Sequence, residues 1–212
     1  DDDDGEQQLT QDFSELQAVE DKLRTINDEL EAKMLQLDKE YSRKKRPLFE
    51  ERAKICKRIP HFWMNAFANH PMLAEMFRQI DFEVLKNLTV VDVEDIDEGD
   101  WSGNRYTFEF SKNEYFSNKT LFKEFRYNTG TGEVEVSSSP IDWKPGMNFL
   151  EPEQPKGAEG AGKRKDPEAD DGPSFFFWFD AEDEEEKPVG ELIRDEIFKD
   201  PFRYFCGEDF DE

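Results

Sequence analysis

The sequence is poor in the side chains that most often carry out chemistry in enzymes. It has only two histidines, His61 and His70, and neither stands at a spacing from other residues that matches a metal site or a catalytic triad. No helical pattern follows the glycines at positions 130 and 132, which favours a hairpin turn over a phosphate loop. The acidic run from Asp180 to Glu186 lacks the glycine and the ligand spacing of a calcium loop. We therefore predict no catalytic residue, no metal site, no cofactor and no enzymatic activity.

Paired cysteines and long apolar runs are also missing. Cys56 and Cys206 stand far apart in different contexts, which predicts two thiols in a reducing compartment rather than a disulfide framework. No apolar run could span a bilayer and no charged-then-apolar leader is visible, so we expect a soluble intracellular protein. Hydrophobic residues make up 35% of the chain and charged residues 38%, so part of it should lie outside any core. The 20 Phe, 5 Tyr and 4 Trp nevertheless suffice for a compact core in about half the chain.

Charge is distributed in blocks. The formal net charge is -24, and both ends are acidic: positions 166–212 hold 18 acidic and 4 basic residues, and positions 1–37 hold 12 acidic and 3 basic ones. Such a field repels nucleic acid and attracts a basic partner at a rate that falls as salt rises. Positions 39–63 form the exception, with three anionic side chains against nine cationic ones: Lys39, Arg43, Lys44, Lys45, Arg46, Arg52, Lys54, Lys57 and Arg58.

A stripe of apolar residues at steps of three or four predicts one face of a long helix. The stripe consists of Phe13, Leu16, Val19, Leu23, Ile26, Leu30, Met34, Leu37 and Tyr41. Its narrowness favours a coiled-coil seam that pairs two copies of the chain, although an amphipathic helix lying on its own domain is the alternative. The period continues at Leu48 and Ile55 across Pro47, so we predict one long bent helix over residues 12–59, preceded by a flexible acidic terminus at 1–11.

The rest of the chain predicts a globular domain over residues 60–205. Two short helices are expected after Pro60, and then the period switches to two in LTVVDVEDI, NRYTFEF and KTLFKEFRYN, which together with the segment after NTGTGE predicts an antiparallel meander of about four strands. Residues 145–173 are rich in Pro and Gly and predict a flexible loop. We interpret SFFFWF as core rather than a membrane wedge, VGELIRDEIFKDPFRYF as a closing helix, and residues 206–212 as the start of an acidic tail.

The order of the aromatic segments resembles that of the nucleosome assembly protein family of histone chaperones, closest to its SET branch. The matching segments are IPHFWMNAFANHP, YTFEFSKNEYFSNKTLFKEF, IDWKPG, SFFFWF and ELIRDEIFKDPFRYF. The resemblance implies an α+β fold in which a long N-terminal helix pairs two subunits, each with an "earmuff" α/β domain, around a concave acidic surface. A proline at the position of Pro47 is also usual in that family. The implied function is that of a homodimeric, nuclear chaperone for core histones.

Under this resemblance the acidic residues near the end of the chain become candidate histone contacts. They are Asp180, Glu182, Asp183, Glu184, Glu185, Glu186, Glu191, Asp195, Glu196, Glu208, Asp209, Asp211 and Glu212. The seam residues become the dimer interface. We expect the acidic run to act diffusely and the acids near the closing helix to act as a structured surface.

Several alternatives stay open from the sequence. The protein could instead be a regulatory adaptor or inhibitor that masks histones from, or presents them to, a histone acetyltransferase, or that inhibits a phosphatase. The basic half of the long helix could meet the acidic surface of its own dimer or make weak contact with DNA. Lys163, Arg164 and Lys165 resemble a short nuclear localisation signal, but a random loop often carries as many basic residues. Shuttling between nucleus and cytoplasm is equally open.

Overall fold

A computed structural model of the chain describes residues 2–150, 174–180 and 187–207, with side chains from Gln7 onward. The predicted loop between 151 and 173, the acidic run at 182–186 and the residues from 208 to 212 lie outside the described residues. The chain divides into two compact units, Asp1–Arg52 and Ala53–Glu212, and each is described by itself.

Helix α1 spans Asp2–Cys56, a length of 55 residues. It begins about ten residues earlier than predicted, so positions 2–11 are helical rather than a flexible terminus; Gln7, Gln8 and Leu9 are good helix formers and nothing after Gly5 interrupts them. It ends at Cys56 rather than near residue 59. The helix runs through Pro47, which removes only one N–H from a ladder of many hydrogen bonds.

Three short helices follow, where the sequence predicted two. They are α2, Phe62–Ala68; α3, Pro71–Met76; and α4, Gln79–Leu85. His61 has a left-handed backbone with φ of 55°, which turns the chain after Pro60 into α2. Proline at the first position and His70 at the N-cap start α3. The extra helix, α4, is short and begins without a serine or threonine cap, so its start gives little local signal.

Four antiparallel strands form one sheet in the order β1-β2-β3-β4, as predicted. Their bounds are Leu88–Glu98, Trp101–Phe110, Thr120–Asn128 and Val134–Ser138. The alternation places Tyr106, Phe108 and Phe110 of β2 on a buried inner face, while the residues between them face outward. The β1–β2 turn uses Gly99 at φ of 62°, a conformation that glycine adopts without steric cost.

The inner face of the sheet packs against a 3-10 helix, Phe175–Phe179. Phe108 lies edge-on to Trp178 and Phe179, with ring centroids 5.9 and 5.5 Å apart. Four of the five residues of this helix are buried, and only Phe177 is exposed, at 41%. The interpretation of FFFWF as core is therefore confirmed. The rings pack edge to face and so bury large apolar areas.

The predicted closing helix is divided in three. Helix α5, Lys187–Leu192, continues into a π-helical turn at Ile193–Ile197, and α6 then spans Pro201–Cys206. The turn is marked by the hydrogen bond from Phe198 N to Ile193 O at 2.7 Å. Helix α6 packs on α2, where Phe205 stacks on Phe62 with ring centroids 4.8 Å apart. Cys56 is buried and Cys206 is exposed, and both are thiols, as expected.

Candidate functional site

The β1–β2 hairpin concentrates acidic side chains that the sequence reasoning did not select. Six of them occur between Val91 and Trp101 with no cation among them: Asp92, Glu94, Asp95, Asp97, Glu98 and Asp100. All except Asp92 are exposed. Because side chains alternate along a strand, Asp95 and Asp97 share the inner side with Val93, while Glu94 and Glu98 lie on the outer side. The edge strand β1 is therefore acidic on both faces near its end.

A hydrogen-bond chain joins this hairpin to the π-helical turn. The Arg194 guanidinium donates to Asn104 Oδ1 through Nη1 at 2.8 Å, and Asn104 Nδ2 donates to Asp95 Oδ1 at 2.9 Å. Arg194 also holds Asp195 through two contacts of 2.7 and 2.8 Å. This hydrogen bond lowers the pKa of Asp195, so its carboxylate stays ionised at neutral pH. Asp95 and Asp195 thus belong to one surface, although they lie on different elements.

Tyr106 lies beneath this surface. The pKa of Tyr106 is raised to about 12, chiefly by burial; the charge of Arg194 acts to lower it, and the charges of Asp195, Glu191 and Asp95 act to raise it. The phenol therefore senses carboxylates from three elements at once: β1, α5 and the π-helical turn. Helix α5 can lie close to Tyr106 because Gly190 has no side chain: a Cβ at Gly190 would lie 3.0 Å from the Tyr106 ring. We call Asp95, Glu191 and Asp195 with Arg194 the acidic patch.

The predicted histone contacts fall into three groups in the structure. Glu191 and Asp195 are exposed on the acidic patch, and Asp180 is exposed after the 3-10 helix. Glu196 is half-buried and bonded to His70. The remaining predicted contacts lie outside the described residues, as do the three basic residues of the candidate localisation signal: Glu182, Asp183, Glu184, Glu185, Glu186, Glu208, Asp209, Asp211, Glu212, Lys163, Arg164 and Lys165.

Glu196 serves the interior of the domain. Its Oε2 lies 2.9 Å from Nε2 of His70 and accepts a hydrogen bond of 3.0 Å from the Tyr204 hydroxyl. The His70 ring is fully buried, and it stacks on Tyr204 with ring centroids 4.9 Å apart. These contacts fasten the π-helical turn and α6 to the start of α3. The Glu196 side chain is still 42% exposed, so its role as a histone contact stays a prediction.

The outer face of the sheet carries its own charge compensation near β3 and β4. Arg105 Nη1 lies 3.2 Å from Glu124 Oε2, and Arg126 Nε lies 2.8 Å from Glu135 Oε2. Each guanidinium also covers an aromatic ring, at 4.2 Å from the Phe122 centroid and 4.9 Å from the Trp101 centroid. Glu124 and Glu135 of this face are thus paired with arginines in a ladder.

The predicted seam residues lie along one stripe of α1. All nine are between 49% and 61% exposed: Phe13, Leu16, Val19, Leu23, Ile26, Leu30, Met34, Leu37 and Tyr41. Leu9, four residues before Phe13, is 53% exposed and extends the stripe by one turn beyond the predicted residues. A stripe of this length is much more apolar surface than a single soluble chain usually exposes.

Part of the basic segment is neutralised by nearby glutamates. Lys44 Nζ lies 2.5 Å from Glu40 Oε1, and Lys57 Nζ lies 3.0 Å from Glu109 Oε2 on β2. Arg46 pairs with Glu50 one turn along the helix, at 3.6 Å. At least three of the nine cations are thus compensated by carboxylates of the same chain.

The described residues offer neither a metal-binding cluster nor a membrane-spanning helix. No group of three or more His, Cys, Asp or Glu in this part of the chain is arranged to hold a metal ion. None of the helices in the ranges above is long and apolar enough to cross a membrane.

Comparison with known proteins gives a consistent result. The family model described as nucleosome assembly protein (NAP) matches residues 56–208. NAP1-related protein 1 of Oryza sativa subsp. indica is 32% identical over 206 residues, which cover 94% of this chain and 76% of that protein. Protein SET of Drosophila melanogaster is 31% identical over 205 residues, covering 94% and 74%. The crystal structure of nucleosome assembly protein S from Plasmodium falciparum superposes with a TM-score of 0.68 at 28% identity, over 92% of this chain and 99% of that chain.

Proposed function

Since the chain belongs to the nucleosome assembly protein family, we propose that it is a histone chaperone that binds basic core histones and shields them from non-productive contacts with DNA. The observation that supports this most is the acidic patch, where Asp95, Glu191 and Asp195 meet around Tyr106 on an ordered part of the domain. Such a surface is complementary to the positive charge of histones. No covalent bond is made or broken in this role.

The mechanism is competition. Histone surfaces that DNA phosphates would neutralise are occupied by carboxylates of the chaperone, so only DNA contacts stronger than the chaperone contacts displace it. The patch supplies fixed charges with little conformational freedom to lose. The acidic run from Asp180 to Glu186 and the acids at 208–212 would add a diffuse attraction, with about 0 to 1 kcal/mol for each charge if its pairs resemble surface salt bridges.

The chaperone acts as a homodimer through the stripe on α1. Burial of the nine predicted interface residues against a second copy would contribute about 1.5 to 3 kcal/mol for each fully buried side chain. The exposure of the whole stripe in one chain supports this assignment. The two copies would then present two acidic patches to one histone assembly.

The finer partner assignments rest on charge and on the resemblance. Arg43, Lys45 and Lys54 of α1 are exposed, which supports weak contact with DNA phosphates. Lys163–Lys165 would direct the protein to the nucleus. Presentation of bound histones to an acetyltransferase is a separate role, and pull-down with pure histones against pull-down with candidate enzymes at matched salt distinguishes it from direct chaperoning.

The experiment that tests the proposal is a titration of labelled histone dimers and tetramers at several salt concentrations. The wild type should bind at least one of them, with an affinity that falls as salt rises. The variant Asp95→Asn, Glu191→Gln, Asp195→Asn should bind more weakly. A matched control removes the same charge from exposed acids elsewhere, through Glu75→Gln, Glu114→Gln and Asp142→Asn. Equal loss in both variants would mean that net charge alone matters and that the patch is not the binding surface.

A further inference from the structure

Arg78, which precedes α4, has a buried guanidinium edge with no hydrogen-bond partner among the described residues. Its Nε and Nη2 atoms are both shielded from solvent and without an acceptor in that part of the chain. The N–H groups of Nε and Nη2 point the same way and are spaced to match two oxygens of one carboxylate or phosphate group. A buried donor pair of this kind is costly unless an acceptor meets it.

The neighbouring carboxylate of Asp81 does not fill this role. Its Oδ2 accepts the backbone N–H groups of Arg78 and Phe175, at 2.8 and 2.9 Å, and its Oδ1 accepts the Ser174 hydroxyl. Burial raises the pKa of Asp81, and these hydrogen bonds and the Arg78 charge act in the opposite direction. Asp81 is thus engaged in joining α4 to the 3-10 helix, and it attracts the guanidinium only through space.

The ring of Phe149 lies over the Arg78 guanidinium. Its ring centroid lies 5.9 Å from Arg78 Cζ. The ring also contacts Trp143, at 4.9 Å between centroids, and Phe176, at 5.9 Å. Phe149 is itself half-buried, and Met147 two residues earlier is exposed. A ring at the surface is the cover that must shift to give a ligand access to Arg78.

We propose that the Nε–Nη2 edge of Arg78 is an oxyanion site that takes one carboxylate or phosphate group, with Phe149 as its cover. The low-dielectric surroundings strengthen a charge-assisted hydrogen bond at this edge. The site is separate from the acidic patch and from the stripe on α1. Its ligand is an anion and not a basic histone, so its test does not depend on histone binding.

The test is a thermal titration with inorganic phosphate against chloride at matched ionic strength. Phosphate stabilises proteins in general, so the variant Arg78→Met sets the baseline and Arg58→Met, at an exposed position, is the control. At 100 times the dissociation constant, the wild type and Arg58→Met should gain about 5 to 10 °C in Tm beyond the gain of Arg78→Met. An equal gain in all three proteins overturns the proposal.

Acetate in place of phosphate identifies the preferred anion. A specific gain with acetate assigns a carboxylate ligand, and a specific gain with phosphate alone assigns a phosphate group. The variant Phe149→Ala should lower the phosphate concentration needed for half the effect, because the cover is removed. In nitrogen-edited NMR spectra, the Arg78 Nε–H signal should shift and saturate with phosphate; a signal that does not move in the wild type or in Phe149→Ala overturns the site.

Discussion

Glu196 and His70 are 126 residues apart in the sequence, and they are joined by a hydrogen bond of 2.9 Å between the carboxylate and the buried ring. His70 Nδ1 accepts the Leu73 N–H at 3.2 Å, so the ring proton is on Nε2 and is donated to Glu196. Glu196 thereby ties the π-helical turn to α3, while its side chain stays 42% exposed, so this bond and a contact with a histone do not exclude each other.

The first prediction concerns the stability of this cluster. Glu196→Gln should lower the free energy of unfolding by about 1 to 3 kcal/mol, because a buried donor loses its charged acceptor. Glu191→Gln, at an exposed position of the neighbouring helix, should change it by less than about 0.5 kcal/mol. Urea denaturation measures both. A Glu196→Gln protein of unchanged stability but weaker histone binding would return Glu196 to the binding surface.

The second prediction separates the two acidic contributions kinetically. Amide replacements at 182–186 should slow histone association and flatten its salt dependence, since a run of like charges acts mainly on the encounter rate. The replacements Asp95→Asn, Glu191→Gln and Asp195→Asn should instead speed dissociation, because these charges sit on the ordered patch. Stopped-flow mixing and competition give the two rates. If the first variant dissociates faster and the second binds normally, the surface is wrongly assigned.

The third prediction tests the stripe on α1. Leu23→Glu with Leu30→Glu should give monomers, because two charges would be buried in each copy of the interface. Thr25→Glu with Ala32→Glu adds the same charge at the same spacing on the opposite side of the helix and should leave a dimer. Sedimentation velocity decides. A dimer in the first variant would show that the interface lies elsewhere.

The fourth prediction concerns the core. Alanine at Trp63, Phe108, Phe125 or Phe176, which are all buried, should cost about 3 to 5 kcal/mol of stability. Phe177→Ala lies in the same 3-10 helix but is exposed, and it should cost far less. The Tm of each variant should fall before the histone affinity of the folded fraction changes. Selective loss of binding at unchanged Tm would contradict the core assignment.

The fifth prediction concerns alkaline pH. Tyr106 has a pKa of about 12 in the folded state and an ordinary value near 10 when unfolded. The contribution of Tyr106 to the free energy of unfolding is therefore fully present below pH 10. It is lost between pH 10 and 12, because the unfolded chain ionises first. The loss should be on the order of 2 kcal/mol by pH 12. Tyr106→Phe should show a shallower fall of stability over this range; an identical fall would assign the effect to other groups.

The parts of the fold that local pattern determines were predictable. The two-residue period of Tyr106, Phe108 and Phe110 reflects the pleat of a strand, and the four-strand meander was confirmed. The seam and the continuity of α1 beyond Pro47 follow in the same way from a helical period. A run of aromatics such as FFFWF has too little polar surface to remain in water, so its burial was also predictable.

The parts that depend on distant contacts were not. Arg194 meets Asn104 across 90 residues of sequence, and that contact is what brings Asp95 to the patch. The π-helical turn gives no periodic signal, so the bond between Glu196 and His70 could not be predicted. The acids of β1 were read only as the polar positions of a strand, although their density in VDVEDIDEGD is a signal that could have been used.

The arginine ladder ties β2, β3 and β4 together on the outer face of the sheet, where Arg105 lies against Glu124 and Arg126 against Glu135. At the other edge of the sheet, five exposed acids lie in the β1–β2 hairpin: Glu94, Asp95, Asp97, Glu98 and Asp100. We expect this uneven distribution of the described charges to give a cationic partner a torque as well as an attraction, so that the partner turns toward the β1 edge before the surfaces touch. The orientation of the incoming partner would then be set at a distance, before any contact forms.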